Sequence, residues 1–345
     1  MAEPDGRFEI QEVIEILHRL LALHWRRNGG AIRTADVLGS RVWYAEFAPL
    51  RSDRATGERR SRWPRGERRR RAQPTVILLH GLGATAASFF PVIDTLRRGY
   101  RVIVPDLPGY GLSRPPRGRE FLTFSELLET AERFVARVAP RGAYLAGNSM
   151  GGWIAAKLAS RRPDLARGIA LLNPGGPSLN AEDWADFARV ISAEDADAIR
   201  QFVTRLFHRP PFGYQLLGRE LKRLMRAPPV AQLVCSLTAE DFLTEEELAA
   251  VDCPSVLIWG ENDRLIPEGC RSFYLEKLPS VRYEPMAECG HCPQLECPRK
   301  TAEILLRLPR MRRRVFAAQR ARRGGGARVM PLRVPASALV EPSVG

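Results

Sequence analysis

The stretch Ala143-Tyr-Leu-Ala-Gly147-Asn-Ser149-Met-Gly151-Gly152 joins an apolar segment to a run of helix-forming residues, Trp153 to Ser160. A serine on a tight turn between a strand and a helix is forced out of the sheet, where its hydroxyl becomes accessible. The backbones crowd on both sides of such a turn, so small residues are needed two positions before and after the serine. Gly147 and Gly151 meet this need. The pattern predicts a strand–turn–helix unit with Ser149 as the candidate nucleophile.

Two downstream segments supply the groups that a serine hydroxyl needs, because serine is a weak nucleophile at neutral pH. The apolar segment from Val256 to Gly260 is followed by a loop that contains Asp263, the candidate orienting acid. Glu261 and Glu288 are the alternatives for this role. The turn around His291 presents that histidine as the candidate general base.

An upstream stretch, Val76-Ile-Leu-Leu-His80-Gly81-Leu82-Gly83, ends an apolar strand in a glycine turn. Such a turn can aim backbone N–H groups at the oxyanion that forms during acyl transfer. We expect the N–H groups of Leu82 and Met150 to form this oxyanion hole. His80 and Gly81 are expected to contact the substrate, with His80 orienting the loop rather than acting as the base.

The order serine, aspartate, histidine along the chain resembles that of the α/β-hydrolase superfamily. The resemblance covers roughly residues 37 to 309 and includes the turn Asp106-Leu-Pro-Gly109-Tyr-Gly111-Leu-Ser113. Within the superfamily, Leu172-Asn-Pro-Gly-Gly176 and Glu296-Cys-Pro-Arg-Lys-Thr301 are similar to segments of bacterial lipases and monoacylglycerol lipases. The resemblance implies a serine hydrolase that cleaves a carboxylic ester, small or lipid-like, such as a monoacylglycerol. No motif implies an organic cofactor or a metal.

Two other functions stay open. The Gly-Asn-Ser-Met-Gly-Gly turn is shared with carbon–carbon bond hydrolases of ring-cleavage products. Those enzymes usually carry Gly-Pro-Gly after the first His-Gly and a Trp after the catalytic histidine, where this chain has Gly83-Ala-Thr and Cys292. The other alternative is a non-catalytic scaffold with a hydrolase fold at a membrane surface. An apparently intact set of serine, aspartate and histidine argues against it.

Apolar segments that alternate with amphipathic helices predict an α/β fold with a mostly parallel sheet covered on both faces. The expected strands are a hairpin over 35–48 and the segments 75–80, 101–106, 143–148, 168–173, 255–260 and 280–286. A helical cap is expected after the sixth strand, over residues 177–250, between the core segments 35–176 and 251–309. An amphipathic helical extension, 1–34, and a basic disordered tail, 310–345, flank this core.

The expected cap lies beyond the carboxyl ends of the strands, where ligands of parallel sheets bind. Its aromatic residues Trp184, Phe187, Phe202, Phe207, Phe212 and Phe242 are available to line an acyl pocket. We expect two or three of them to touch substrate and the rest to pack the cap onto the body. Trp184, Phe187 and Phe202 are the substrate-binding candidates.

The net charge of +14 is concentrated in two segments. Residues 51–71, inside the expected basic loop 49–73, hold ten arginines against three acidic residues, and residues 310–345 hold nine arginines against one. The rest of the chain is therefore close to neutral. Residues 51–71 are interpreted as a solvated insertion or as a weak contact with an anionic membrane surface. No nucleic-acid-binding motif accompanies them, so no nucleic acid partner is expected.

No segment of the sequence approaches the roughly 18 consecutive apolar residues of a membrane-spanning helix. The acidic start Met1-Ala-Glu-Pro-Asp5 does not resemble a secretory signal. We therefore predict a cytoplasmic location. A position peripheral to the membrane is the alternative within it.

The six cysteines all follow residue 234. Cys289, His291, Cys292 and Cys297 resemble a zinc-ligand cluster. The same histidine is needed beside the serine, however, and a second Cys-x2-Cys pair is missing. The sequence therefore predicts no metal and free thiols in a reducing cytoplasm, with a disulfide from Cys289 to Cys292 or Cys297 as the alternative on export.

Overall fold

The computed structural model describes residues 20–50, 73–192, 195–211 and 218–311. These residues build an eight-stranded sheet with the order β1-β2-β4-β3-β5-β6-β7-β8. The strands are β1 (Gly30–Val37), β2 (Ser40–Phe47), β3 (Thr75–Leu79), β4 (Arg101–Pro105), β5 (Ala143–Asn148), β6 (Ala166–Leu172), β7 (Ser255–Gly260) and β8 (Arg282–Met286). Pairs involving β2 are antiparallel, and the remaining pairs are parallel. The predicted mostly parallel α/β fold is confirmed.

Helices connect the strands and cover both faces of the sheet. They are α1 (residues 20–27), α2 (Phe90–Leu96), α3 (Phe124–Val138), α4 (Met150–Arg161), α5 (Ala181–Ser192), α6 (Ala196–Leu206), α7 (Gly218–Arg226), α8 (Pro228–Cys235), α9 (Glu245–Ala249), α10 (Glu268–Lys277), α11 (Pro293–Glu296) and α12 (Pro298–Arg307). Helices α5 to α9 lie between β6 and β7 in the chain, so the predicted helical insertion after the sixth strand is present.

The central strands are buried on both faces. In β3, Val76 and Leu78 join one buried cluster with residues of α2 and α12, whereas Ile77 and Leu79 join another with residues of α3, α4 and the cap. Side chains alternate between the two faces of a strand, so each face needs its own apolar cover. This double burial explains why these strands are continuous apolar runs in the sequence.

The first two strands form a hairpin around a two-residue turn. Leu38 and Gly39 occupy this turn with φ of 49° and 78°, and Val37 pairs with Ser40. Positive φ at both central residues matches the twist of the flanking strands and favours glycine. Strand β1 begins at Gly30, five residues earlier than the hairpin predicted from Ala35. Trp25 of α1 stacks on Trp43 of β2, with ring centroids 5.9 Å apart.

Four helices, α8, α10, α11 and α12, were not predicted from the sequence, and α8 and α10 illustrate the reason. Helix α8 has prolines in its first turn, at Pro228 and Pro229, and helix α10 follows Pro267 directly. Proline is favoured at the first turn of a helix because its missing N–H has no intrahelical partner there. These prolines indicate where each helix begins. Both helices are short, however, and neither shows a long apolar repeat that would predict a helix.

Several predictions fall outside the described residues. They concern most of the extension 1–34, the basic stretch 51–71, the aromatic residue Phe212 and nearly all of the tail 310–345. Within the expected cap, 177–250, residues 193–194 and 212–217 also lie outside the described ranges, and α7 is described from Gly218 onward. Within the described ranges, every helix is too short or too polar to cross a membrane.

Candidate active site

Ser149 stands at the turn from β5 to α4, as the sequence predicts. Its backbone has φ 54° and ψ −119°, a conformation that costs a non-glycine residue about 1–3 kcal/mol and tends to occur at functional sites. Crowding around the turn is severe. A Cβ on Gly147 would lie 2.1 Å from the carbonyl oxygen of Gly151, and a Cβ on Gly151 would lie 2.1 Å from that of Leu79. The two glycines are therefore steric requirements of the turn.

Asp263 and His291 meet beyond the ends of β7 and β8. Nδ1 of His291 lies 2.8 Å from Oδ2 of Asp263, and both side chains are buried. The other carboxylate oxygen of Asp263 accepts the backbone N–H groups of Leu265 at 2.8 Å and Ile266 at 3.2 Å. These contacts fix the carboxylate toward the imidazole and favour the tautomer with the proton on Nδ1. Glu288, an alternative acid in the sequence, instead faces Arg209 at the surface.

Asn173 is a site residue that the sequence analysis missed. It follows β6, is fully buried and has a φ of 41°. Its Nδ2 donates to Oδ2 of Asp263 at 2.7 Å, and its Oδ1 accepts the N–H of Gly260 at 3.0 Å. The side chain therefore ties the end of β7 to the carboxylate. Finding it requires the sheet order, which places β6 between β5 and β7.

Replacing Asn173 with glycine is expected to lower kcat for an activated ester by roughly 10- to 100-fold, with little change in KM. A hydrogen bond to a charged group is worth about 1.5–3 kcal/mol, and glycine accepts the positive φ. Kinetics on p-nitrophenyl butyrate, with Asn28→Ala as the control, measure the effect. Asn28 is exposed in the turn before β1. An unchanged kcat would contradict a positioning role for Asn173.

The loop that carries His291 is held from several directions. Nδ2 of Asn148 donates to the carbonyl oxygen of His291 at 2.9 Å. The two carboxylate oxygens of Glu296 accept the N–H groups of Gly290 at 2.9 Å and His208 at 2.7 Å. Glu296 thereby links the histidine loop to the chain that leaves helix α6 of the cap.

The C-terminal end of α6 contacts both the acid loop and the base loop. The carbonyl oxygen of Leu206 accepts the N–H of His291 at 2.7 Å, and the carbonyl oxygen of Arg205 accepts the N–H of Arg264 at 3.3 Å. The guanidinium of Arg205 also pairs with Asp186 of α5. A cap helix therefore supports the geometry of the candidate aspartate and histidine directly.

The expected oxyanion donors lie beside Ser149. Leu82 and Met150 both line the same pocket as the serine. Met150 is the first residue of α4, where backbone N–H groups have no intrahelical partner and the helix end carries partial positive charge. A Cβ on Gly81 would lie 3.2 Å from Cβ of Ser149, so the glycine loop passes next to the serine. The role of the Leu82 and Met150 N–H groups as oxyanion donors stays a prediction.

His80 does not line this pocket, in contrast to its expected contact with substrate. It is fully buried. Its Nε2 accepts the N–H of Leu107 at 2.9 Å, so Nδ1 carries the proton and donates to the carbonyl oxygen of Gly81 at 2.8 Å. His80 therefore joins the glycine loop to the segment after β4. These two hydrogen bonds are compatible with an orienting role for His80, which stays a prediction.

The pocket in front of Ser149 is apolar and has a cavity volume of about 70 Å³. Its lining includes Trp184, Phe187 and Phe242 from the cap region, with Leu82, Trp153 and Ile266 from the body. Among the described lining residues none is charged. The structure thus places two of the three predicted cap aromatics, Trp184 and Phe187, at the pocket.

Phe202 lies elsewhere, so its predicted role in substrate binding is not supported. It is 7% exposed and belongs to the buried cluster beneath the cap. Helical spacing alone does not tell which apolar face of a short cap helix turns to the body and which to the pocket. Phe242, which the sequence analysis left among the general cap aromatics, takes a place in the lining instead.

The cysteines near His291 are free thiols. Burial raises the pKa of Cys289 and Cys292 well above the usual thiol range. Burial also raises the pKa of Cys270, in the pocket lining, to about 12. All three are therefore neutral at physiological pH. Within the described ranges, no cluster of three His, Cys, Asp or Glu side chains could hold a metal ion.

Comparison with known proteins places this geometry in a family. The chain is 26% identical to the pimeloyl-[acyl-carrier protein] methyl ester esterase of Aeromonas hydrophila subsp. hydrophila over 252 residues, 67% of this chain and 94% of that protein. It is 25% identical to Lipase 3 of Moraxella sp. (strain TA144) over 242 residues, 66% of this chain and 74% of the lipase. The crystal structure of a membrane phospholipase A superposes with a TM-score of 0.68 and 25% identity, covering 85% of this chain and 90% of that one.

The profile of the alpha/beta hydrolase family matches residues 76–304. That range holds the turn with Ser149, the Asp263–His291 pair and all but the first residue of the parallel part of the sheet. The chain belongs to the α/β-hydrolase family.

Proposed function

We propose that this protein is a serine hydrolase that cleaves carboxylic esters through an acyl-enzyme. The observation that carries the proposal is the buried hydrogen bond of 2.8 Å between Nδ1 of His291 and Asp263. It leaves Nε2 of the imidazole as the basic atom. Ser149, in a strained turn on a strand of the same sheet, supplies the hydroxyl.

In the proposed reaction, Oγ of Ser149 attacks the ester carbonyl while Nε2 of His291 accepts the hydroxyl proton. Asp263 stabilises the imidazolium that results. The N–H groups of Leu82 and Met150 stabilise the tetrahedral oxyanion, each contributing on the order of 3 kcal/mol. The intermediate collapses, and the alcohol departs with the proton from His291. Water, deprotonated by His291, then cleaves the acyl-enzyme and releases the carboxylic acid.

The proposed substrate is a lipid-like ester, such as a monoacylglycerol. The pocket wall in front of Ser149 is aromatic and aliphatic, with Trp184, Phe187 and Phe242 on the cap side. Burying an acyl chain against such a wall contributes about 0.8 kcal/mol per methylene. The similarity to a lipase and to a methyl ester esterase supports ester chemistry in general.

The proposed organisation keeps the boundaries expected from the sequence. Core segments 35–176 and 251–309 carry the candidate groups, and the cap, 177–250, closes the pocket. A weak contact of residues 51–71 with anionic lipid, and a cytoplasmic location peripheral to the membrane, stay predictions.

Hydrolysis of p-nitrophenyl esters from acetate to palmitate, with Ser149→Ala as the blank, tests the proposal. We expect kcat/KM to rise by up to about 15-fold per added pair of methylenes, until medium or long chains are reached, because the pocket is apolar. An optimum at acetate would point to a general esterase. Activity on no ester, with intact labelling of Ser149 by a fluorophosphonate, would favour carbon–carbon bond hydrolysis. Folded protein without labelling would favour a scaffold.

A further inference from the structure

The chain between β6 and α5 runs along the pocket and is held in place by hydrogen bonds. The N–H of Gly175 donates to the carbonyl oxygen of Ser149 at 3.3 Å, and the hydroxyl of the buried Tyr274 donates to the carbonyl oxygen of Gly175 at 2.6 Å. The N–H of Leu243 donates to the carbonyl oxygen of Gly176 at 2.8 Å. Both glycines therefore occupy fixed positions relative to Ser149.

The two glycines differ in whether the fold requires them. Gly176 has a φ of 128°, and a Cβ there would lie 2.7 Å from Cδ1 of Leu243 and 2.9 Å from the hydroxyl oxygen of Tyr274. Gly175 is not in the left-handed region, and a Cβ there would meet none of the described residues within 4 Å beyond its chain neighbours. Glycine loses more conformational freedom on folding than any other residue. Its presence at 175 therefore has an entropic cost that the fold does not explain.

The open space beside Gly175 belongs to the pocket. Gly175 lines the pocket together with Ser149. Its N–H and its carbonyl oxygen are both engaged with the protein, so Cα is the atom left to border the pocket. A side chain would extend from this atom. Because the backbone of Gly175 contacts that of Ser149, the space lies next to the nucleophile and not at the far end of the pocket.

We propose that Gly175 is a specificity-determining residue, whose missing side chain leaves room for an alkyl branch on the acyl carbon next to the scissile carbonyl. This inference rests on the proposed ester hydrolysis at Ser149. In the acyl-enzyme, that carbon is bonded to the carbonyl carbon that Oγ of Ser149 carries, so a branch on it lies close to the serine. The lining around this space is apolar and includes Trp153, Leu179 and Ile266. Such a wall favours an alkyl branch over a charged one.

The test compares p-nitrophenyl butyrate with p-nitrophenyl isobutyrate, two isomers that differ only in whether the acyl chain branches next to the carbonyl. For both esters kcat/KM is measured in the wild-type protein, Gly175→Ala, Gly175→Val and Gly269→Ala. The rates of alkaline hydrolysis of the same esters correct for their intrinsic reactivity. Gly269→Ala is the matched control, because a Cβ on Gly269 also meets none of the described residues within 4 Å and Gly269 is outside the described lining.

We expect the ratio of kcat/KM for isobutyrate to that for butyrate to fall by about 10-fold or more in Gly175→Val, since one misfitting methyl group in an apolar pocket changes kcat/KM by roughly 10- to 200-fold. The decrease should be smaller in Gly175→Ala and absent in Gly269→Ala. An unchanged ratio in Gly175→Val would overturn the proposal. So would a wild-type ratio that lies more than about 10-fold below the ratio for alkaline hydrolysis, because the branch would then not fit.

Gly175→Ala provides the test if Gly175→Val does not fold, since the alanine Cβ has room. The substrates are then the isomers p-nitrophenyl hexanoate and p-nitrophenyl 2-ethylbutyrate, whose larger branch makes the alanine methyl group matter more. We expect the ratio for the branched ester to fall by about 5-fold or more, and an unchanged ratio would refute the proposal. Failure of the proposed function gives a different result, because no ester would then be cleaved in a reaction that Ser149→Ala abolishes. That result would remove this inference as well.

Discussion

Ser149→Ala is expected to lower kcat for ester hydrolysis by roughly four to six orders of magnitude while leaving the protein folded. Removing the serine of such a triad abolishes the acyl-enzyme route, and only the binding and oxyanion contributions remain. The fold should tolerate the change, because alanine is smaller than serine and none of the fold contacts described above uses the hydroxyl of Ser149. The measurement is kcat on p-nitrophenyl octanoate, with fluorophosphonate labelling and a thermal unfolding curve for each variant.

Ser160→Ala is the matched control, since Ser160 lies near the far end of the same helix, α4. It should keep full activity and full labelling. Equal activity of Ser149→Ala and wild-type protein would remove Ser149 from the mechanism. Loss of labelling in Ser160→Ala instead would identify a different nucleophile.

The second large effect concerns the turn itself. Gly151→Ala is expected to lower the free energy of unfolding by about 3 kcal/mol or more, or to prevent folding. The new Cβ would lie 2.1 Å from the carbonyl oxygen of Leu79 and 2.7 Å from that of His80. Both contacts are with backbone at the end of β3, so no side-chain rotation can relieve them. Overpacking of this kind costs 1–3 kcal/mol even where side chains can move.

Urea unfolding of Gly151→Ala and Gly269→Ala measures this effect. Gly269 lies in α10, and a Cβ there meets nothing within 4 Å. Its replacement by alanine should therefore be neutral or stabilise the helix by up to about 1 kcal/mol. Similar stabilities of the two variants would mean that the end of β3 can shift away from α4.

The site residues that could be predicted from the sequence are those whose signal lies in one short, continuous segment. The turn with Ser149 is a short motif, and the loops with Asp263 and His291 each follow an apolar strand. Their approach in space follows from the parallel sheet. Asn173 was missed because its partner, 90 positions later in the chain, is identified only by strand order. Phe202 was misplaced for a related reason, since periodicity gives a helical face but not the surface that the face meets.

The backbone carbonyl groups of Arg205 and Leu206, at the end of α6, limit how the cap of this protein can be exchanged. They accept the N–H groups of His291 and Arg264, so this cap helix supports the loops that carry the candidate base and acid. A chimaera that grafts a relative's cap onto this core would exchange the pocket wall and disturb the imidazole at the same time. The substrate range of this protein is therefore better changed by single replacements of the pocket-lining residues of α5, Trp184 and Phe187, than by exchanging the whole cap.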